Sequence, residues 1–126
     1  MTPAPKTLIV DDDAVSRLVL AHVLRRLGHD IAEADSVAAA LVCFDDVRPA
    51  LVVSDFMMPD GTGLDLLTEL RRRPHPPLFV LVTGSGEHNG LDDDRAGLLD
   101  GYLTKPVGSR EMRECVEHLP RAPRSR

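Results

Sequence analysis

An α/β domain with a parallel sheet covered by helices on both faces is the fold class this sequence predicts, on three observations. Five short apolar runs alternate with segments of helical periodicity. The runs at 8–10, 51–53 and 78–82 are continuously apolar, as strands buried on both faces are. Four of the runs also end on a carboxylate, a hydroxyl or an ammonium. Leu8-Ile9-Val10 leads into Asp11-Asp12-Asp13, and Leu51-Val52-Val53-Ser54 leads into Asp55. Leu78 to Val82 stops at Thr83, and Tyr102-Leu103-Thr104 stops at Lys105-Pro106. In a parallel sheet all the strand C-terminal ends share one edge, so these residues are expected to converge there.

The first strand is predicted over about 7–11. A helix follows, with Val15, Leu18, Val19, Leu20, Val23, Leu24 and Leu27 at three- and four-residue spacings. Asp13 is read as its N-cap, Arg25 and Arg26 suit its C-terminal dipole, and Gly28 can take the left-handed stop conformation. Ile31 to Ala34 is a weak second strand, and Ser36 then caps a helix carrying Ala38 to Leu41 and Phe44. Pro49 ends that helix and leads into a strand at 51–55. Met58-Pro59-Asp60-Gly61 is turn chemistry. Thr62 and Asp65 form a capping-box pair for a helix whose stripe is Leu64, Leu67 and Leu70. Arg71-Arg72-Arg73 are expected at its solvated end.

Pro74-His75-Pro76-Pro77 separates that helix from the longest strand, 78–83. The alternation demands a helix next, but Gly84, Gly86, Gly90 and Gly97 each cost roughly 0.5–1 kcal/mol there. Asp92-Asp93-Asp94 adds repulsion, so a short, mobile helix is expected over about 87–96. The last strand spans about 101–104. Ser109 is the expected N-cap of a final helix that packs through Met112, Cys115, Val116 and Leu119 and stops at Pro120. The domain is expected over 7–119, with an extension at 1–6 and a basic tail at 120–126.

Length and composition narrow the function. The 126 residues suit one domain, with 43% apolar and 28% charged residues. No run approaches the ~20 apolar residues of a membrane span, and the N-terminus has no signal-peptide h-region, so a cytoplasmic location without membrane contact is expected. A net charge of −5 opposes nucleic-acid binding by the domain itself. Cys43 and Cys115 are too few and too far apart for a disulfide framework or a zinc site, and are read as packing thiols. The five histidines have no metal-ligand spacing.

Chemistry therefore concentrates at the strand ends. Clustered carboxylates repel and call for a cation, and a small set of hard oxygen donors suits Mg²⁺. Asp12 and Asp55 are the expected direct ligands, with Asp11 acting through a water and the Met57 carbonyl adding an oxygen. Lys105 and Thr83 would bind the oxygens of a transferred phosphoryl group, and the Asp55 carboxylate would be the nucleophile.

These residues carry a family resemblance. Val10-Asp11-Asp12-Asp13, Ser54-Asp55-Phe56-Met57-Met58-Pro59, Val82-Thr83-Gly84 and Leu103-Thr104-Lys105-Pro106 resemble the motifs of receiver domains of two-component response regulators, in particular the stand-alone chemotaxis type. The likeness and the motif separations extend over about 6–119. It implies a flavodoxin-like, doubly wound five-stranded sheet in the order 2-1-3-4-5, an arrangement that the general rule for such folds illustrates with this family. By resemblance, Asp55 is the phosphoacceptor, taking its group from a phosphohistidine on a sensor histidine kinase or a histidine phosphotransfer protein. Asp11 and Asp12 are the acidic pair, Thr83 the switch hydroxyl, Lys105 the phosphate-binding lysine, and Lys105-Pro106 a cis peptide. Tyr102 is the switch ring that turns inward when Thr83 moves. The resemblance also implies autophosphorylation and slow autodephosphorylation rather than turnover of an outside substrate. An unidentified downstream protein is the output, and the chain is a monomer or a phosphorylation-dependent dimer.

Some positions depart from the family pattern. Leu98-Leu99 replaces a common Gly-Ala pair, and Thr62 replaces a common Asp. Met57 and Ser85 occupy positions that tune dephosphorylation in the family. Two rival functions are weighed. An aspartate-nucleophile phosphatase of the haloacid dehalogenase kind requires an Asp-x-Asp motif after the first strand and a cap domain; Asp55 is followed by Phe56-Met57, and 126 residues leave no room for a cap. A non-phosphorylated scaffold predicts loss of a site residue, and each one is present.

Overall fold

The computed structural model describes residues 4–84 and 93–120. Its strands are β1 (Lys6–Val10), β2 (Asp30–Ala34), β3 (Leu51–Asp55), β4 (Leu78–Thr83) and β5 (Gly101–Thr104). They pair in parallel in the order β2-β1-β3-β4-β5, the doubly wound order expected. The helices are α1 (Ala14–Arg26), α2 (Val37–Val47), α3 (Gly63–Arg71) and α4 (Ser109–Glu117). None of the described helices is long and apolar enough to cross a membrane.

Alternation along the central strands divides the core into two layers. Leu8, Val10, Val52, Phe79 and Leu81 face α2 and α3, meeting Ala40, Phe44, Leu64, Leu67 and Leu70. Ile9, Val53, Val80 and Val82 face α1 and α4, meeting Leu20, Leu24 and Met112. Successive residues of one strand thus serve opposite layers, which is why β1, β3 and β4 read as unbroken apolar runs.

Local signals hold at most boundaries. The Asp13 carboxylate accepts the amides of Val15 and Ser16, and Gly28 stops α1 with φ of 95°. Thr62 and Asp65 form the reciprocal capping box at the start of α3. Ahead of it, Met57–Met58 pairs antiparallel with Gly61–Thr62 around the Pro59-Asp60 turn. At the end of α2, Arg48 takes a left-handed conformation, φ 54°, and donates its amide to Phe44 O. Pro49 disfavours helical geometry at the residue before it, so the stop falls on Arg48.

Three local expectations are corrected. The N-cap of α4 is Gly108, not Ser109, which is the first helical residue. Gly108 has an extended backbone and gives the helix no side-chain cap. Within the segment expected as a helix over 87–96, residues 87–92 lie outside the described residues. The remainder is a 3₁₀ turn, Asp94–Leu98, capped by the Asp93 carboxylate on the Arg95 amide. Ala96 and Leu98 pack on the α2/α3 layer, and Leu99 is buried, so this turn has the apolar contacts that a helical stripe count does not show. Finally, Arg71 is not solvated: it is buried against Asp100, while Arg73 pairs with Asp45 and Arg72 stays exposed.

Candidate functional site

Strand register builds the site. Val10 pairs with Ser54, so Asp11 and Asp55 leave the sheet side by side. Asp55 pairs with Val82, which puts Thr83 next along the edge, and Thr83 pairs with Thr104, which puts Lys105 next. The four residues form a stair across β1, β3, β4 and β5 at their C-terminal ends. Asp12 follows Asp11 in the loop before α1.

Asp11 is the anchored member. Its side chain is wholly buried; Oδ1 accepts the Asp13 amide at 2.9 Å and Oδ2 accepts Lys105 Nζ at 3.0 Å. Its carbonyl accepts Arg17 Nη1 at 2.7 Å, and Arg17 in turn bonds Glu33 at 3.0 Å. Lys105 Nζ stands 3.6 Å from Asp55 Oδ1, an ion pair longer than a hydrogen bond, and donates to Ser16 Oγ at 3.2 Å. The Lys105 amide donates to Thr83 O at 2.7 Å, and the Lys105–Pro106 peptide is cis.

Burial pushes the Asp55 carboxyl above its ordinary range, and the Asp11 charge adds to this. Lys105 and the Phe56 amide, which donates to Asp55 Oδ1 at 2.9 Å, offset part of that rise. At Lys105 burial works against the charged form, but the Asp11 bond and the charges of Asp11 and Asp55 outweigh it, so its pKa is raised. Oxygens of Asp11, Asp12 and Asp55 all lie within 4.8 Å of one another, and one ammonium does not balance three carboxylates. Such a cluster of carboxylate oxygens is of a size that could hold a metal ion.

The remaining expected residues are placed as follows. Thr83 is buried, and its Oγ1 lies 2.9 Å from the Tyr102 hydroxyl, with either able to donate. Tyr102, half-buried on β5, thus has its ring turned toward the site side of β4. Met57 is exposed and paired with Thr62 in the β3–α3 turn. Sequence reasoning missed Ser16 and Arg17. Both stand in the first turns of α1 just after the acidic run, where Cα–Cβ bonds tilt toward the helix N-terminus and let the side chains on the sheet-facing side reach the strand end.

The sequence from residue 7 to residue 117 matches the response regulator receiver domain family. This chain belongs to that family. The receiver domain is 32% identical to the chemotaxis protein CheY of Pseudomonas aeruginosa, covering 90% of this chain and 94% of that one. It is 34% identical to the two-component response regulator ORR12 of Oryza sativa, covering 92% and 98%. Against the phosphate regulon transcriptional regulatory protein PhoB of P. aeruginosa it is 32% identical over 83% of this chain but spans only 47% of that protein. Several matched regulators are thus about twice as long as the segment they share with this receiver domain. Among solved structures, a CheY-like receiver domain from Methylobacillus flagellatus superposes with a TM-score of 0.82 at 28% identity, covering 90% and 97% of the two chains. A response regulator receiver protein from Pseudomonas putida gives 0.81 at 28% identity, covering 93% and 98%. The receiver domain is accordingly a signalling domain of two-component systems, with an acidic cluster that could hold a metal ion.

Proposed function

We propose that this receiver domain accepts a phosphoryl group on Asp55 from a phosphohistidine of a sensor histidine kinase or a histidine phosphotransfer protein, and so switches a surface read by a downstream protein. The observation that carries the reading is the Asp11–Lys105–Asp55 arrangement, in which one ammonium stands 3.0 Å from a buried carboxylate and 3.6 Å from a more accessible one. Asp11 holds Lys105 in place, and Asp55 is left able to react. A carboxylate oxygen of Asp55 attacks phosphorus, the bond from phosphorus to the donor's imidazole nitrogen breaks, and the imidazole leaves with that electron pair. Lys105 and the Thr83 hydroxyl bind phosphoryl oxygens as charge builds on them.

Asp12, Asp55 and the Met57 carbonyl would hold Mg²⁺ directly, with Asp11 through a water. The ion would neutralise the carboxylates and take a phosphoryl oxygen. The same groups support self-labelling by a small donor such as acetyl phosphate, and slow hydrolysis of the product. Thr83 and Tyr102, already bonded to each other, form the switch: a phosphoryl group competing for the Thr83 hydroxyl biases the ring's position. Residues 7–119 are the unit that performs this, flanked by 1–6 and 120–126.

An apolar ridge beside the site supports docking of a protein donor. Val15, Leu18 and Val19 on α1 are 68%, 63% and 48% exposed, and Met57 across the site is also exposed. Large apolar side chains around a charged site suit a partner that covers it.

Intact-mass measurement after acetyl phosphate and Mg²⁺ tests the assignment. The wild type should gain one phosphoryl group, and neither Asp55→Asn nor a chelator-treated sample should. Equal labelling of Asp55→Asn refutes the choice of Asp55.

A further inference from the structure

Asp60 lies outside the carboxylate cluster, at the tip of the turn joining β3 to α3, and its carboxylate reaches another element. Oδ1 accepts the Val37 amide at 2.8 Å and Oδ2 accepts the Ala38 amide at 2.9 Å. These are the first two amides of α2, which have no partner inside the helix. Ser36 Oγ accepts the third, from Ala39, at 3.0 Å. The start of α2 is therefore satisfied jointly by its own cap and by a residue of a separate loop. The Ala38 and Val37 amides hold the Asp60 carboxyl below its ordinary range, as expected for charge-assisted bonds.

Both ends of this connection are firm. Ala40 and Phe44 bury α2 in the sheet layer, so its N-terminus is a fixed point. The far side of the turn is fastened to α3, where Asp65 Oδ2 accepts the Thr62 amide at 2.9 Å and the Gly63 amide donates to Phe56 O at 2.7 Å. Met57 lies inside the turn, paired with Thr62. Its neighbour Met58 is buried, while Pro59 and Asp60 at the tip are exposed. A turn fastened at its base but free at its tip would let the Met57 main chain rock. The Asp60 bonds to α2 oppose that motion.

We propose that Asp60 is a positioning residue for the cation site: by clamping the 56–62 turn onto the N-terminus of α2, it holds the Met57 carbonyl where that carbonyl serves the ion. The inference rests on the assignment of Met57 as a carbonyl ligand made above. Asp60 itself does not touch the ion and acts through the turn. A cap that only steadied α2 would change stability and nothing else. Ser36 separates the two roles, because it caps the same helix without touching the turn.

The test is a Mg²⁺ titration of the full chain, followed by amide shifts in nuclear magnetic resonance, with thermal melts alongside. Wild type, Asp60→Ala, Asp60→Asn and Ser36→Ala are compared at a temperature where all are folded. Asp60→Ala should weaken Mg²⁺ binding about tenfold, the low end of the range for groups that orient metal ligands. Asp60→Asn keeps one acceptor oxygen and should fall between. Ser36→Ala should lower the melting temperature while leaving the Mg²⁺ dissociation constant unchanged. Mg²⁺ binding by Asp60→Ala equal to wild type overturns the inference alone, as does an equal loss in Ser36→Ala. A wild type that binds no Mg²⁺ overturns both the inference and the ligand assignment beneath it. Should Asp60→Ala fail to fold, unchanged binding in Asp60→Asn decides against the clamp.

Discussion

Arg71 and Asp100 form an ion pair at 3.1 Å with side-chain exposures of 5% and 0%. Arg71 also donates to Pro77 O at 2.9 Å and Leu98 O at 2.7 Å, while Asp100 Oδ2 accepts the Phe79 amide at 2.9 Å. One guanidinium thus ties the end of α3 to the loop before β4 and to the 3₁₀ turn before β5. Removing one partner of a buried pair leaves a charge without compensation, which costs about 3–5 kcal/mol. Arg71→Ala should lose stability of that order in urea unfolding. A loss below about 1 kcal/mol, the range of surface pairs, would mean that water reaches Asp100.

Asp55 gives a pH signature. Its folded pKa is raised, first by burial and then by Asp11, so the folded state binds the extra proton. Stability from this group therefore falls as pH rises from the ordinary carboxyl value of 3.8 through the raised one. At neutral pH without divalent cations, Asp55→Asn should melt higher than wild type, because the variant carries no half-buried charge at this position. The gap should close as pH falls below 3.8, where Asp55 becomes protonated in both states. Mg²⁺ should raise the wild-type melting temperature more than that of the variant. Differential scanning calorimetry at several pH values checks each part; a variant that melts lower at neutral pH would show that Lys105 dominates the balance.

The bond between Thr83 and Tyr102 separates stability from chemistry. Tyr102→Phe keeps the ring but leaves a buried Thr83 hydroxyl without that partner, at a cost of about 1 kcal/mol. Self-labelling by acetyl phosphate should proceed at the wild-type rate, because Tyr102 is not among the groups that hold the phosphoryl. Thr83→Ala should instead slow labelling. Urea midpoints and timed intact-mass measurements distinguish the two, and slow labelling in Tyr102→Phe would place the ring in the chemistry.

The apolar ridge on α1 can be tested without disturbing the site. Leu18 is 63% exposed, so Leu18→Asp should change stability by no more than about 0.5 kcal/mol. Transfer from a phosphohistidine donor protein should fall about tenfold, equivalent to about 1.4 kcal/mol of lost docking energy. Labelling by acetyl phosphate should not change. Equal loss with both donors would count against a docking role.

Much of this protein was legible in its sequence. Periodicity, caps and turn residues are local, and short-range sterics and hydrogen bonds enforce them whatever the surroundings. Asp13, Ser36, Gly28 and the Thr62–Asp65 box stand where residue chemistry predicts. The convergence of Asp11, Asp55, Thr83 and Lys105 followed from parallel pairing, because strand ends in such a sheet share one edge. Tertiary structure alone decided which partner each polar group took. Arg71 reads as one of three solvated arginines until packing brings Asp100 beside it, 29 positions away. Asp60 reads as a turn former until α2 presents two bare amides to it. Ser16 joins the site only because α1 lies against the loop after β5. Such pairings depend on long-range distances that no local pattern encodes, and burial then makes them costly to leave unmet.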